Sequence, residues 1–306
     1  MKIFRNFAEA KGIRNPVVTT GSFDGVHIGH KTILNRLKML AEKYKGESVL
    51  ITFHPHPRKV LYPDTAGRNL KLINSQEEKL ELLRKAGLDN LIIIEFTKEF
   101  SRVTSEKFVR DFLYGILKAR VVVAGFNHHF GFNQEGDYRH LWTWSEKYGF
   151  EAEEIPEQEV QHETVSSTRI RKAISEGYIQ RANAYLDHYY MIMGKPDNRP
   201  FLTFASFADF YRIPLTEECK ILPATGVYAV SVSLNGDISK GMVLIVQDKN
   251  KQPDVLIHFF EDQGKYPEHH ISILFHKMIC GSVNLQDPGA SLRLERAKDK
   301  ISELIF

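Results

Sequence analysis

Two histidines, His27 and His30, stand three residues apart in the stretch GSFDGVHIGH (21–30), with Gly29 between them and the carboxylate of Asp24 just ahead. At helical spacing both rings fall on nearly one face, so their N–H groups converge on one target. A helix N-terminus at the same place adds unpaired backbone N–H groups and the positive end of the helix dipole, which suit phosphate oxygens. Gly29 has no Cβ, so a phosphate can come close to the backbone. Two donors converging on a phosphate fit the stabilisation of charge that builds up during nucleotidyl transfer. A metal pair uses similar spacing, but no third ligand stands nearby. The stretch is neither the dinucleotide fingerprint nor a phosphate loop ending in Gly-Lys-Ser/Thr.

A second candidate is VSSTRIRKAISEG (165–177). Ser166, Ser167 and Thr168 open a predicted helix with Ile170, Ala173 and Ile174 on its buried stripe and Gly177 at its end. Capping needs only one of the three hydroxyls, and the two arginines beside them, Arg169 and Arg171, favour an anion.

The elements that position these residues alternate. PVVTTG (16–21), SVLITF (48–53), NLIIIEF (90–96) and RVVVAGF (120–126) read as strands, the last two as continuous apolar runs buried on both faces. Between them lie amphipathic helices over 30–46, 75–87 and 105–117, the second opening with the capping box of Ser75 and Glu78 and stopping at Gly87. This succession predicts an α/β fold, a Rossmann-like doubly wound parallel sheet. In such sheets ligands bind beyond the carboxyl ends of the strands, where GSFDGVHIGH and GFNHHFGFNQEGD (125–137) both begin. His128 and His129 are adjacent, cannot share one face of an extended chain, and receive no role.

Length and composition bound the rest. A chain of 306 residues suggests about two domains. A net charge of +3, with 41 basic against 38 acidic residues and no basic stripe, argues against a nucleic-acid partner. Cys219 and Cys280 lack metal-ligand spacing and read as two reduced thiols. No leader and no membrane span is expected, and the expected location is cytoplasmic.

On these motifs the chain resembles the bacterial FAD synthetases, the bifunctional riboflavin kinase/FMN adenylyltransferase family. GSFDGVHIGH resembles the family's G-x-F-D-G-x-H-x-G-H; FHPHP (53–57) its F-x-P-H-P; VVVAGFNHHFGFNQEGD (121–137) its G-x-D/N-x-x-F-G segment; and VSSTRIRKAISEG its S-S-T-x-I-R element. The resemblance implies that Gly21, Phe23, Asp24 and Gly25 shape an ATP-binding turn, and that His27 and His30 hold the phosphates. It gives Ser166, Ser167, Thr168 and Arg171 the triphosphate and the leaving pyrophosphate, and Asn127 the nucleotide near the adenosine. Pro55, His56, Pro57 and Phe130 match positions lining the flavin pocket, where flat apolar walls suit an isoalloxazine ring; Phe130 reads equally well as core. The implied reaction is attack of the FMN phosphate on the α-phosphate of ATP, with Mg²⁺ arriving on ATP and no dedicated metal cluster.

Residues 1–185 are thus expected to form the adenylyltransferase domain, and 186–306 a kinase-like β-barrel closed by a C-terminal helix. In the second, GVYAVSVSLNGD (226–237) ends in an Asn-Gly hairpin turn, and further strands are expected over 241–248, 254–262 and 269–279, with a helix over 291–305. The chemistry departs from the family. No G-R-x-x-G-x-P-T-A-N stands between Tyr190 and Leu222, and aligned on His258 the position of the kinase's catalytic Glu is Leu256. Leucine accepts no proton, and Asp254, two residues back, is a poor substitute. The expected function is FMN adenylyltransferase with the kinase activity lost. The alternatives are a non-catalytic flavin- or nucleotide-binding protein, a bifunctional enzyme with a relocated kinase site, or a nucleotidyltransferase with another phosphate acceptor. Oligomeric state is not legible.

Overall fold

The computed structural model describes the whole chain except Asn127 and residues 161–162, 205–207, 248–252, 262–268 and 305–306. Two compact units share the chain: residues 1–70 and 79–165 form the first, residues 71–78 and 166–306 the second.

The first unit is built on six strands: β1 (Lys2–Phe4), β2 (Val17–Thr20), β3 (Ser48–His54), β4 (Asn90–Glu95), β5 (Val121–Gly125) and β6 (Glu151–Ile155). They lie in the order β1-β4-β3-β2-β5-β6, every pair parallel. Their β-branched runs are buried on both faces, as a parallel sheet covered by helices requires. The helices are α1 (Ile28–Lys43), α2 (Pro57–Leu61), α3 (Gln76–Lys85, the first three residues of which count with the second unit), α4 (Ser105–Lys107) and α5 (Tyr138–Tyr148). From β2 the sheet grows first toward β3 and β4, then on its other side toward β5 and β6. The crevice between the ends of β2 and β5 is therefore the topological switch point, the place where ligands bind in open α/β sheets.

The expected α-helix over 105–117 takes another form. After one turn of α4 the chain winds as a π-helix over Phe108–Ile116. The wider turn lets Phe108 and Leu113, five residues apart, both face the core, where Phe7, Phe112, Phe100 and Phe130 join the same cluster.

A two-stranded hairpin, β7 (Glu159–Val160) and β8 (Glu163–Thr164), precedes the second unit, which opens with α6 (Ser167–Ser175) and α7 (Ile179–Leu186). Its seven antiparallel strands are β9 (Tyr190–Gly194), β10 (Leu202–Phe204), β11 (Ala208–Arg212), β12 (Gly226–Leu234), β13 (Asp237–Val246), β14 (Asp254–Phe259) and β15 (Ile271–Gly281). They run in the order β10-β11-β14-β13-β12-β15-β9, and α8 (Ala290–Leu304) packs Leu294, Ala297 and Ile301 onto the sheet. The sheet curls until its ends approach: the Asp197 N–H, just past β9, donates to the Arg212 carbonyl of β11 at 2.9 Å. Asn235 and Gly236, both at positive φ, make the expected tight turn between β12 and β13.

This unit begins earlier than residue 186. The Asn183 side chain of α7 donates to the Phe275 carbonyl at 2.8 Å and accepts from the Tyr190 N–H at 2.7 Å, which ties α7 to β15 and β9.

Candidate functional site

The turn between β2 and α1 is wound by residues in unusual backbone conformations. Phe23 (φ 48°), Gly25 (φ 94°) and Val26 (φ 41°) all lie in the left-handed region, and Val26 is β-branched and buried. Such strain persists only where the surroundings over-determine it, and it gathers at functional sites. At Gly21 a Cβ would stand 3.0 Å from the Phe23 ring and press on it.

The winding delivers a stack of three rings. Phe23 lies on His30 at 4.4 Å between centroids, and His30 lies on His27 at 3.7 Å, each pair within 20° of parallel. His27 is the N-cap of α1, and its ring makes no hydrogen bond to the first-turn amides. Those N–H groups keep the capacity for an anion. A Cβ on Gly29 would come within 3.3 Å of the His27 ring, so this glycine makes room for the imidazole itself.

Burial, then the charges of His27 and Lys79, hold the His30 pKa well below that of an ordinary imidazole. Its Nδ1 is buried and has no hydrogen-bond partner among the described residues. Lys79, on α3, donates from Nζ to the Ser22 carbonyl at 3.3 Å and so braces the same turn. Lys79 escaped the sequence reading. It directly follows the Ser75–Glu78 capping box, and no spacing in the sequence ties it to the turn.

FHPHP ends β3 at the same carboxyl edge of the sheet, since β3 pairs in register with β2 from Val17–Ser48 to Thr20–Ile51. His56 and Pro57 also have local duties. The His56 Nδ1 accepts from the Arg58 N–H at 3.2 Å as the cap of α2, and Pro57 is at the start of that helix. The His54–Pro55 peptide is cis. Phe130 packs at 6.1 Å from Phe108 and 6.2 Å from Trp144, against the core, and its backbone pairs with Gly136 across a small hairpin. Asn127 lies outside the described residues.

Ser166, Ser167, Thr168 and Arg171 belong to the second unit. Ser166 caps α6 by accepting from the Arg169 N–H at 3.4 Å; Ser167 and Arg171 are half-buried, Thr168 is exposed, and Ile170, Ala173 and Ile174 face inward as expected. No group of three or more His, Cys, Asp or Glu placed to hold a metal occurs among the described residues. None of the described helices is long and apolar enough to cross a membrane.

On β14, Leu256 is fully buried against α8 and the neighbouring strands. Asp254 is engaged by Arg212 at 2.5 Å.

A parallel sheet wound both ways from β2, with a strained histidine-bearing turn at the switch point, defines a Rossmann-like α/β protein. The comparisons carry this further. The FAD synthetase family model matches residues 10–169, and the chain belongs to the FAD synthetase family, whose members are nucleotidyltransferases.

Among its relatives, a bifunctional riboflavin kinase/FMN adenylyltransferase of Listeria monocytogenes is 32% identical over 87% of this chain and 81% of its own length. One from Bacillus subtilis is 28% identical over 86% of this chain and 84% of its own length. A second Listeria monocytogenes relative, named FAD synthetase alone, is 32% identical over 77% of this chain and 91% of its own length. In fold, the chain is similar to a crystal structure of a macrolide-efflux protein from Streptococcus pneumoniae, at a TM-score of 0.84 and 21% identity, over 100% of this chain and 99% of that one.

Proposed function

We propose that this protein is an FMN adenylyltransferase, transferring AMP from Mg²⁺-ATP to the phosphate of FMN to give FAD and pyrophosphate, and that it phosphorylates riboflavin no longer. The stack of Phe23, His30 and His27 at the opening of α1 carries the reading, because it presents imidazole nitrogens and helix amides together.

The FMN phosphate attacks the α-phosphorus in line, and the α–β bridging bond breaks as pyrophosphate leaves. No protein nucleophile is needed, so catalysis is positioning plus electrostatics. His27 and His30 donate to phosphate oxygens as negative charge builds in the transition state. The resemblance gives Ser166, Ser167, Thr168 and Arg171 the departing pyrophosphate, Gly21, Asp24 and Gly25 the shape of the nucleotide turn, and Asn127 the nucleotide. It gives Pro55, His56, Pro57 and Phe130 the flavin.

Loss of the kinase activity rests on position 256. A catalytic carboxylate is replaced by a buried leucine, and the nearest candidate substitute, Asp254, is committed to Arg212. The relative named for FAD synthesis alone is consistent with a chain carrying one activity. A bifunctional enzyme is the second reading, favoured by the relatives that carry both names.

The test is a paired assay with Mg²⁺-ATP, FMN in one reaction and riboflavin in the other. FAD from FMN and no product from riboflavin is expected, and His30→Ala lowers the FMN rate by about 10²–10³. Product from riboflavin establishes the bifunctional reading; no product in either reaction, with ATP or FMN still bound, means a binding protein.

A further inference from the structure

Thr20 is the last residue of β2, next to Gly21, and His128 lies in the loop that leaves β5. The Thr20 Oγ1 and His128 Nε2 are 2.8 Å apart, one hydrogen bond across the switch point. The β2–β5 ladder pairs only Val17 with Val121 and Val18 with Val122. Past that point the ladder ties the two strand ends no longer, and the Thr20–His128 bond spans the gap. Its setting is otherwise apolar: Phe108, Val122, Ala124 and Phe130 line the same small cavity. The His128 ring also lies on Phe130, 5.8 Å between centroids and 18° from parallel.

Burial, then the neighbouring His129, depress the His128 pKa to about 4. The imidazole is neutral at neutral pH and meets the threonine hydroxyl as donor or acceptor according to its tautomer. A satisfied half-buried pair needs no function. This one, however, joins the strand that carries the histidine turn to the loop that carries Asn127 and Phe130.

We propose that His128 is a positioning residue whose bond to Thr20 latches the 125–137 loop to the end of β2 and so sets the opening in which the nucleotide is handled. The kinetic consequence rests on the adenylyltransferase reading; the latch itself does not.

Two measurements separate them. In Thr20→Val, amide hydrogen exchange over 125–137 speeds up about fivefold, the factor expected for one hydrogen bond, with the far strands β1 and β4 unchanged. KM for ATP rises by about the same factor while kcat changes less. Thr20→Ser keeps the hydroxyl and restores both. His128→Phe reproduces Thr20→Val, and the double variant is no worse than the weaker single one, because both substitutions remove the same bond. Exchange at the wild-type rate in Thr20→Val, or effects that add, overturns the latch. If the wild-type protein makes no FAD, the functional reading fails, and exchange still decides the latch because it needs no substrate.

Discussion

At the scale of single residues, the site is a problem of fitting three rings into one turn. Phe23 and Val26 adopt left-handed backbone, His27 takes the N-cap position of α1, and His30 stacks between the two other rings. Gly29→Ala should therefore act through His27: the added Cβ lies 3.3 Å from the ring and displaces it, lowering kcat/KM at least tenfold with little change in Tm. Steady-state kinetics beside a melting curve checks this, and activity equal to wild type would show that the ring has room to spare.

Lys79 acts on the neighbouring ring by charge. Burial is the largest cause of the low His30 pKa, and the charges of His27 from the turn and then Lys79 from α3 add to it. Lys79→Gln should raise the His30 pKa only partly, since burial remains, whereas Lys79→Arg should leave it unchanged; an NMR titration of the ring resonances reads this directly. An arriving triphosphate has the opposite sign to Lys79. ATP binding should raise the His30 pKa and take up protons, which calorimetry in buffers of different ionisation enthalpy measures.

Among the elements, α3 has the most demanding surroundings at its start. Ser75 and Glu78 form the expected capping box: the Ser75 N–H donates to Glu78 Oε2 at 2.9 Å, and the Glu78 N–H donates to Ser75 Oγ at 3.2 Å. The same carboxylate meets Lys220, whose Nζ donates to Glu78 Oε2 and the Ile73 carbonyl at 2.6 Å and to the Met191 carbonyl at 2.8 Å. Both side chains are 2% exposed. Lys220→Met leaves the Glu78 carboxylate buried without its counter-charge, and urea unfolding should show a loss of about 3–5 kcal/mol. A loss under 1 kcal/mol would mean that water reaches the carboxylate.

The 125–137 loop offers a second test at this scale. Because His128 titrates near 4 when folded and near 6.5 when unfolded, its depressed pKa makes the neutral form part of the fold. That contribution is complete above pH 6.5 and is lost as pH falls through about 4. His129 is the titratable neighbour. Tm measured from pH 7 to 4 should fall less steeply in His128→Phe than in the wild type.

For the whole molecule, the chain leaves the first unit after Leu70, contributes residues 71–78 to the second, returns, and crosses again after Val165. Within the second unit the Leu72 N–H donates to the Cys219 carbonyl at 2.6 Å, and the Ile221 N–H donates to the Leu72 carbonyl at 2.8 Å, so the early segment lies beside a much later one like an added strand. The kinase question also belongs to this scale, since two distant stretches would have to change together. If the chain does not phosphorylate riboflavin, as proposed, Leu256→Glu alone should not make it do so, because the segment between Tyr190 and Leu222 lacks P-T-A-N as well. FMN formed from riboflavin by that variant would show that one substitution had silenced the domain.

What the sequence determined by itself is whatever follows from local rules. The β-branched runs of β2 and β5 predict buried parallel strands, Ser75 and Glu78 predict a helix start, Asn235-Gly236 predicts a hairpin, and the family motifs point to a nucleotidyltransferase. Each depends on residues a few positions apart. The tertiary structure alone decided what depends on distant partners. Phe108–Ile116 winds as a π-helix with aromatic rings from three other segments packed in the same core cluster. Lys79 braces Ser22, His128 meets Thr20, and Lys220 finds Glu78 across 57, 108 and 142 residues of sequence. No period or spacing encodes such pairs, because burial and hydrogen bonding select them only once the sheets have closed.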